Sequence, residues 1–151
     1  MNGYGGSVLR IDLSDGSVRR DATEERLARL YLGGRGMNVA RLWAEVPAHT
    51  GGLSPRNILT FGVGPLVGTL FPGGARMNVS AMSPQTGILG DANVGGFFGA
   101  ELKFAGVDQL VLRGRAEHPV YLLIRDDAVE MRDARHLWGQ DTWETTQAIQ
   151  A

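Results

Sequence analysis

The 151-residue sequence contains no cysteine. Disulfides, thiolate metal sites, iron–sulfur ligation and cysteine nucleophiles are therefore excluded within this chain. The sequence also lacks a basic segment followed by an apolar core at the N-terminus, and no apolar run approaches the ~20 residues of a membrane span. The net charge is −1 at pH 7, which disfavours a broad nucleic-acid-binding surface. We expect a soluble cytoplasmic protein that binds neither a membrane nor nucleic acid.

Common phosphate-binding and catalytic motifs are missing as well. No Gly-Lys pair occurs, and FGVGPLVG (61–68) has GxGxxxG spacing instead of the dinucleotide fingerprint. The three histidines have no HxxxH or HExxH spacing, and no GxSxG surrounds a serine. Asp126, Asp127 and Glu130 have the setting of a solvated turn. An unrelated small nucleotide-binding fold is therefore the weakest alternative.

Glycine is the residue in excess, with 22 positions in clusters that have no fixed period. The densest cluster, GDANVGGFFG, covers residues 90–99. Glycine weakens helices and strands by about 0.5–1 kcal/mol per site relative to alanine, so this stretch is difficult to fit into either. We expect accessible main chain there, held between apolar residues.

Hydrophobic periodicity and turn signals predict one α+β domain with mixed sheets and a few short helices. Asp15-Gly16 is typical of a hairpin turn, Thr23 is placed to cap the first helix, and Asp126-Asp127 joins the last two strands. The predicted strands cover 7–13, 57–63, 76–82, 108–114, 119–125 and 128–133, and the predicted helices cover 24–32, 37–46, 97–106 and 141–151. The last helix still runs at Ala151 without a stop signal, which favours a chain cut inside an element over a frayed terminal helix.

One internal similarity relates GGRGMNVA (33–40) to GGARMNVS (73–80). Its spacing does not recur along the chain, so the sequence is not a solenoid. Two related phosphate-binding turns and a chance match both stay open.

The residue types between 73 and 106 suggest an anion site. Arg76 follows two glycines at the start of a predicted strand, where a guanidinium can meet an anion through two hydrogen bonds. Asn93 precedes Gly95-Gly96, where main-chain groups can reach a ligand or a hard cation. The amides that open the helix after Gly96 would favour negative charge. The alternative is a pair of tight turns with Arg76 in a surface salt bridge.

Four blocks of sequence together resemble the N-terminal domain of the aldehyde ferredoxin oxidoreductase family, whose members carry tungsten, or sometimes molybdenum, on two pterins. The blocks are YLGGRGMNVARLWAEVP, LSPRNILTFGVGPLVGT, MSPQTGILGDANVGGFFGAELKFAG and RDARHLWGQDTWET. The resemblance implies a β-rich base of two similar halves on which this tungstopterin lies. Arg76 would contact a pterin or its phosphate, Asn93 and Gly95 would present groups to the cofactor, and Phe97 and Phe98 would anchor the loop from behind.

The resemblance also implies a magnesium ion that bridges the pterin phosphates and takes the Asn93 carbonyl as a ligand. The complete enzyme would oxidise aldehydes to carboxylic acids, pass electrons to ferredoxin, and hold a 4Fe-4S cluster on cysteines that this chain lacks. Residues 1–151 would then form a cofactor-binding domain, incomplete at its C-terminus, with no catalytic residue and no turnover of its own. Remaining domains or a partner chain would complete it.

Two alternatives remain at this point. A relative of the benzoyl-CoA reductase type is compatible with the same blocks, because substrate choice depends on parts outside this sequence. A stand-alone pterin-binding or assembly subunit without activity would end naturally at Ala151. The substrate range, the metal, the electron partner and the oligomeric state, a homo-oligomer included, are left open.

Overall fold

The computed structural model describes residues 1–150, and it confirms the predicted α+β class. Eight strands and four α-helices alternate irregularly along the chain, with a short 3₁₀ turn at Arg135–Leu137. The strands are β1 (Ser7–Asp12), β2 (Val18–Ala22), β3 (Ile58–Gly62), β4 (Met77–Met82), β5 (Leu89–Val94), β6 (Val107–Arg113), β7 (Val120–Arg125) and β8 (Ala128–Asp133), and the helices are α1 (Glu25–Tyr31), α2 (Gly34–Glu45), α3 (Phe98–Phe104) and α4 (Thr142–Gln150).

Six of the strands form one mixed sheet in the order β2-β1-β6-β3-β4-β5. Strands β1 and β6 are parallel, and every other neighbouring pair is antiparallel. Strands β7 and β8 form a separate antiparallel hairpin that turns at Asp126, which has φ 50°. The predicted hairpin at Asp15-Gly16 and the predicted junction at Asp126-Asp127 are therefore confirmed.

Apolar side chains cover both faces of the six-stranded sheet, because alternate residues of a strand point to opposite faces. On one face, Leu9 and Leu110 pack with Leu102 of α3, and the β7–β8 hairpin lies over this cluster. On the other face, Val8 and Val111 pack with Leu42 of α2. The sheet thus lies between α2 on one side and α3 with the hairpin on the other.

Helix boundaries differ from the prediction around residues 23–37. Thr23 does not cap α1; its hydroxyl donates to Asp108 Oδ2 at 2.6 Å, and Glu24 occupies the N-cap position without a side-chain cap hydrogen bond. Helix α2 begins at Gly34, three residues before the predicted start. The early start depends on Gly33, which has φ 153° and ψ −167°, a backbone conformation that is essentially restricted to glycine.

The largest correction concerns the glycine-rich stretch 90–99. Residues Leu89–Val94 are not an irregular loop but strand β5, the edge of the sheet beside β4. Its residues are exposed or partly exposed along its whole length. Weak strand propensity is overridden here by six consecutive register positions shared with β4. Only Gly95, Gly96 and Phe97 lie between β5 and α3.

The internal similarity does not correspond to a structural repeat. MNVA of 37–40 lies in α2, whereas MNVS of 77–80 lies in β4. Two related turns are therefore ruled out for these segments.

A buried carboxylate fastens the first residues of the chain to the sheet. Asp108 of β6 is fully buried and accepts hydrogen bonds from the backbone N–H groups of Gly5 and Gly6, each at 2.8 Å. Lys103 Nζ lies 2.9 Å from Asp108 Oδ1 and also donates to the Gly64 carbonyl at 3.1 Å. One ion pair therefore connects the N-terminal segment, α3 and the chain after β3.

The two edge strands of the sheet, β2 and β5, differ in the basic residues that would discourage pairing with another chain. Strand β2 carries Arg19 and Arg20, whereas β5 has no basic residue and no proline. Charged edge residues discourage pairing with another chain. Large apolar side chains are also exposed near β5 and elsewhere, among them Trp43, Leu70 and Phe97.

No helix within residues 1–150 has the length and apolar character of a membrane span.

We expect the 151-residue chain on its own to associate with itself. The β5 edge, whose one charged residue, Asp91, is already paired with Arg35, and the exposed apolar side chains both favour intermolecular contact. Light scattering between about 1 and 100 µM, a range in which weak association becomes visible, should show a mass that rises with concentration. A monomer of constant mass over this range would contradict the expectation and favour a self-sufficient subunit.

Candidate functional site

Arg76, Asn93 and Gly95 lie at one end of the β4–β5 pair. Met77 is paired with Val94, and Asn78 is paired with Asn93. Arg76 immediately precedes Met77 and Gly95 immediately follows Val94, so the antiparallel register brings them to the same end of the sheet. The fold therefore brings the three predicted site residues together.

Strand β3 ends at the same place. Gly62 is paired with Asn78, and Gly64 follows two residues later. We call the segments 62–64, 73–76 and 93–96 the glycine rim. The rim is built from the ends of three neighbouring strands, β3, β4 and β5.

The glycines at this end of the sheet fall into two classes. A Cβ atom on Gly33 would lie 2.6 Å from the Val63 carbonyl oxygen, and one on Gly62 would lie 2.6 Å from Asn38 Oδ1. These two glycines permit α2 to approach β3 closely. By contrast, four glycines of the rim have open space where a Cβ would be, namely Gly64, Gly73, Gly95 and Gly96. The rim therefore exposes main chain that a ligand can approach directly.

Arg76 supplies a positive charge to the rim. Its side chain is exposed, and within residues 1–150 no carboxylate lies at salt-bridge distance from it. The surface salt bridge of the alternative interpretation is thus not formed. Arg35, in the first turn of α2, is in a different situation because it pairs with Asp91 of β5. The charge of Arg76 stays available to an anion.

The aromatic residues after the rim do not both anchor it. Phe98 packs against Phe61, with ring centroids 6.2 Å apart, but Phe97 is 85% exposed. The expectation that both rings hold the loop from behind is therefore wrong for Phe97. Helix α3 has only seven residues and carries Glu101 in its first turn. Its N-terminus is a weaker attraction for an anion than the sequence suggested.

A line of buried amide side chains leads to Asn93. Asn78 Nδ2 lies 3.2 Å from Asn93 Oδ1 and 3.0 Å from Asp91 Oδ2. Asn78 in turn accepts from Asn38 Nδ2 at 3.1 Å, and Asn38 Oδ1 accepts from Gln109 Nε2 at 2.9 Å. Sequence reasoning missed Asn38, Asn78 and Gln109. The available signal was the repeated MNV, which places two of these amides at equivalent positions of the two segments.

The residues around the rim suit an anionic group better than a side-chain metal site. Within the described part of the chain, no group of three His, Cys, Asp or Glu side chains could hold a metal ion. A hard cation at the rim would therefore rely on main-chain or amide oxygens and on ligands from elsewhere. An exposed guanidinium beside open glycines fits an anionic group that can approach the main chain.

Comparison with known proteins identifies the family of the chain. Residues 8–151 match the family described as aldehyde ferredoxin oxidoreductase, N-terminal domain. The chain is 49% identical over 149 residues to a tungsten-containing aldehyde ferredoxin oxidoreductase of Thermococcus kodakarensis, and 46% identical to the one of Pyrococcus abyssi. These alignments cover 99% of this chain and 25% and 24% of the respective relatives.

A solved structure also matches the chain over nearly its whole length. The active-site complex BamBC of benzoyl coenzyme A reductase, with 1,5-dienoyl-CoA bound, contains a chain that superposes with a TM-score of 0.96 at 44% identity. The superposition covers 99% of this chain and 23% of that one. The chain thus spans about a quarter of the length of these relatives. It belongs to the aldehyde ferredoxin oxidoreductase family and corresponds to the N-terminal domain of its enzymes.

Proposed function

We propose that residues 1–151 form the N-terminal cofactor-binding domain of a tungstopterin oxidoreductase that oxidises aldehydes to carboxylic acids with ferredoxin as the electron acceptor. The observation that carries the proposal is the exposed Arg76, which has no ion pair within residues 1–150 and lies at the end of the sheet where Gly95 and Gly96 leave the main chain open. The names of the relatives support the substrate class and the electron acceptor.

Each rim residue has a distinct role in this proposal. Arg76 binds a pterin or its phosphate through charge-assisted hydrogen bonds. Gly95 permits the cofactor to lie against main chain, since a Cβ there would occupy the open space. Asn93 would offer its main-chain carbonyl to a magnesium ion bound with the cofactor, since its side-chain oxygen already accepts a hydrogen bond from Asn78.

The chemistry of the reaction lies mainly outside this chain. When bound, the metal cofactor supplies the oxygen chemistry and accepts the electrons of the aldehyde oxidation. This chain positions that cofactor and offsets its negative charge with Arg76. Without cysteine it provides no thiolate ligand for a 4Fe-4S cluster, so that cluster, the acid–base residues and the ferredoxin contact belong to other parts of the enzyme.

Replacing Arg76 by Ala should lower the cofactor content of the full-length enzyme. Charge-assisted hydrogen bonds contribute about 1.5–3 kcal/mol, which corresponds to roughly 10- to 150-fold weaker binding. Anaerobically purified protein would be analysed for metal and for released pterin per polypeptide. Unchanged loading in this variant would contradict the proposed role of Arg76.

Arg56 offers a matched control for this measurement. It is exposed and has no salt bridge within residues 1–150, but it precedes β3 at the end of the sheet opposite the rim. The Arg56→Ala variant should keep normal metal and pterin content. Loss of cofactor in both variants would point to a general effect of removing surface charge.

The structural similarity to benzoyl coenzyme A reductase favours a second candidate function. In this case the full-length enzyme would act on a coenzyme A thioester, and the role of the rim would be unchanged. Activity assays with aldehydes and with aromatic coenzyme A thioesters separate the two. Turnover of only the thioester would overturn the aldehyde substrate while leaving the cofactor role of residues 1–151 intact.

A non-catalytic pterin-binding or assembly subunit makes a different prediction about mass. The native polypeptide that contains these residues would then be about 16.2 kDa and would depend on a partner chain. Mass spectrometry of the native protein, with metal and pterin measured in the same fraction, distinguishes this subunit from a polypeptide several times longer.

A further inference from the structure

Four residues lie side by side across the sheet in a single row. Gln109 of β6 is paired with Gly62 of β3, Gly62 with Asn78 of β4, and Asn78 with Asn93 of β5. Paired residues of neighbouring strands face the same side of a sheet. This row therefore lies on the face covered by α2, and it runs from the buried centre of the sheet to its exposed edge.

The gap in the row at Gly62 is filled by a side chain from α2. A Cβ at Gly62 would lie only 2.6 Å from Asn38 Oδ1, so glycine at this position makes room for the Asn38 amide. Asn38 and Gln109 are both fully buried, and Asn78 is 3% exposed. An amide of α2 thus links the Gln109 end of the row to the Asn78 end.

The hydrogen bonds along this line all run in one direction. Arg41 Nε donates to Gln109 Oε1 at 3.3 Å, Gln109 Nε2 donates to Asn38 Oδ1 at 2.9 Å, and Asn38 Nδ2 donates to Asn78 Oδ1 at 3.1 Å. Asn78 Nδ2 then donates to Asn93 Oδ1 at 3.2 Å. Arginine has no acceptor atom, so its donation fixes which way the Gln109 amide points. The same direction is fixed at Asn38, whose Nδ2 also donates to the main-chain carbonyls of Asn78 at 3.0 Å and Thr60 at 3.4 Å.

Neighbouring groups reinforce this direction. Ser80 Oγ donates to Asn78 Oδ1 at 2.6 Å, and Asp91 Oδ2 lies 3.0 Å from Asn78 Nδ2, so a reversed Asn78 amide would face the wrong partners. Within residues 1–150, no buried side-chain nitrogen or oxygen lacks a hydrogen-bond partner. A buried polar network that is fully satisfied holds its members in one arrangement.

We propose that the amide line Arg41–Gln109–Asn38–Asn78 positions Asn93 for cofactor binding, with Asn38 and Asn78 as positioning residues. The line turns the Asn93 side-chain oxygen inward and thereby leaves its amide nitrogen and main chain for the ligand. This inference rests on the proposed cofactor role of Asn93. Groups that orient metal or cofactor ligands from behind typically change affinity about 10- to 100-fold when they are replaced.

The test uses Asn38→Asp in the full-length enzyme. The carboxylate keeps the acceptor that Gln109 needs, but it places an oxygen opposite Asn78 Oδ1 and opposite the Asn78 main-chain carbonyl. The main-chain carbonyl loses its donor, and the Asn78 amide, followed by the Asn93 amide, is expected to turn over. No atom of the glycine rim is removed. We expect cofactor to be lost about 10-fold faster on anaerobic dialysis against a chelator, measured as metal and pterin retained over time.

Thr60→Val is the matched control. Thr60 is fully buried on the same face, and its hydroxyl donates to the Ser80 carbonyl at 3.0 Å, outside the amide line. It should lower the thermal midpoint in the same way as any lost buried hydrogen bond, yet release cofactor at the unaltered rate. If Asn38→Asp yields no folded enzyme, Gln109→Glu replaces it, since the new carboxylate faces Arg41 and still withdraws the donor that Asn38 requires.

The outcomes separate this inference from the proposed function. Normal cofactor release in the variant of Asn38 or Gln109, together with poor loading of Arg76→Ala, would overturn the positioning role alone. Equally fast release from Thr60→Val would also overturn it, because a general loss of stability would then explain the effect. Normal loading of Arg76→Ala would instead count against the cofactor site itself.

Discussion

Replacing Asp108 by Asn is expected to lower the free energy of unfolding of the chain by about 3–5 kcal/mol. The variant keeps the shape of the side chain but removes the charge that Lys103 requires. Lys103 is 91% buried and would lose its counter-charge, and the new amide nitrogen would face N–H or O–H groups that donate to Asp108 in the natural chain. A buried charge without its counter-charge is far more costly than a lost surface pair. Urea unfolding followed by circular dichroism measures the difference.

The effect of Asp108→Asn should depend on pH. Burial raises the pKa of Asp108, but the hydrogen bonds from Thr23, Lys103 and the N–H groups of Gly5 and Gly6 outweigh burial and hold the pKa below its ordinary value. A carboxylate with a depressed folded pKa adds stability above its unfolded pKa of about 4 and loses this contribution as the pH falls through the folded pKa. The advantage of the natural chain should therefore be largest near pH 7 and shrink below about pH 4.

Asp127→Asn is the matched control for this prediction. Its side chain is 99% exposed and lies 3.9 Å from Arg20 Nη1. The same chemical change there should alter the free energy of unfolding by less than about 0.5 kcal/mol. Equal effects at positions 108 and 127 would show that the buried ion pair does not stabilise the fold.

Gly33→Ala is expected to destabilise the chain by a similar amount, about 3–5 kcal/mol. An unfavourable backbone conformation and a steric overlap both contribute at this position. The φ angle of 153° is unfavourable for any residue with a Cβ, and that Cβ would lie 2.6 Å from the Val63 carbonyl oxygen and 2.9 Å from Gly64 Cα. Both contacts are backbone atoms, so relief requires α2 to move away from the end of β3. Chemical denaturation of the purified variant gives the size of the effect.

Gly87 provides the comparison for Gly33. It has φ 71° but open space where a Cβ would be. Gly87→Ala therefore loses stability only through the unfavourable backbone conformation and not through a steric clash. We expect about 1–2 kcal/mol at that position. If both alanine variants lost the same stability, the close approach of α2 to β3 would contribute nothing measurable.

The elements with clear periodicity were predictable from the sequence, and the ones governed by glycine were not. Strands β6 and β7 contain runs of apolar residues, and β8 alternates apolar with charged residues. The helix ending at Glu45 stops before Pro47, as predicted. Strand β5 and the first turn of α2 were missed for a common reason. In both segments the intrinsic preference of glycine is overridden by partners elsewhere in the chain, β4 in one case and the end of β3 in the other.

The site was predictable in part. Arg76, Asn93 and Gly95 were found from residue type and family resemblance, and the fold brings them together at one end of the β4–β5 pair. The amides behind Asn93 were not found, because Asn38 and Gln109 come from elements 71 residues apart in sequence. A hydrogen bond between such residues has no local pattern. Only the sheet register and the packing of α2 bring them into contact.

The parallel pairing of β1 with β6 has a consequence for the order in which the protein forms during synthesis. Val8 is paired with Gln109, so the pairing of β1 with β6 has to wait for about 100 further residues, on the order of 5–20 s at usual elongation rates. Strands β3, β4 and β5 follow one another without any such interval and can form a meander on the ribosome first. The strand ends that form the glycine rim can therefore assemble before the sheet is closed, and β6 adds both a central strand and the carboxylate of Asp108, which binds the N–H groups of Gly5 and Gly6.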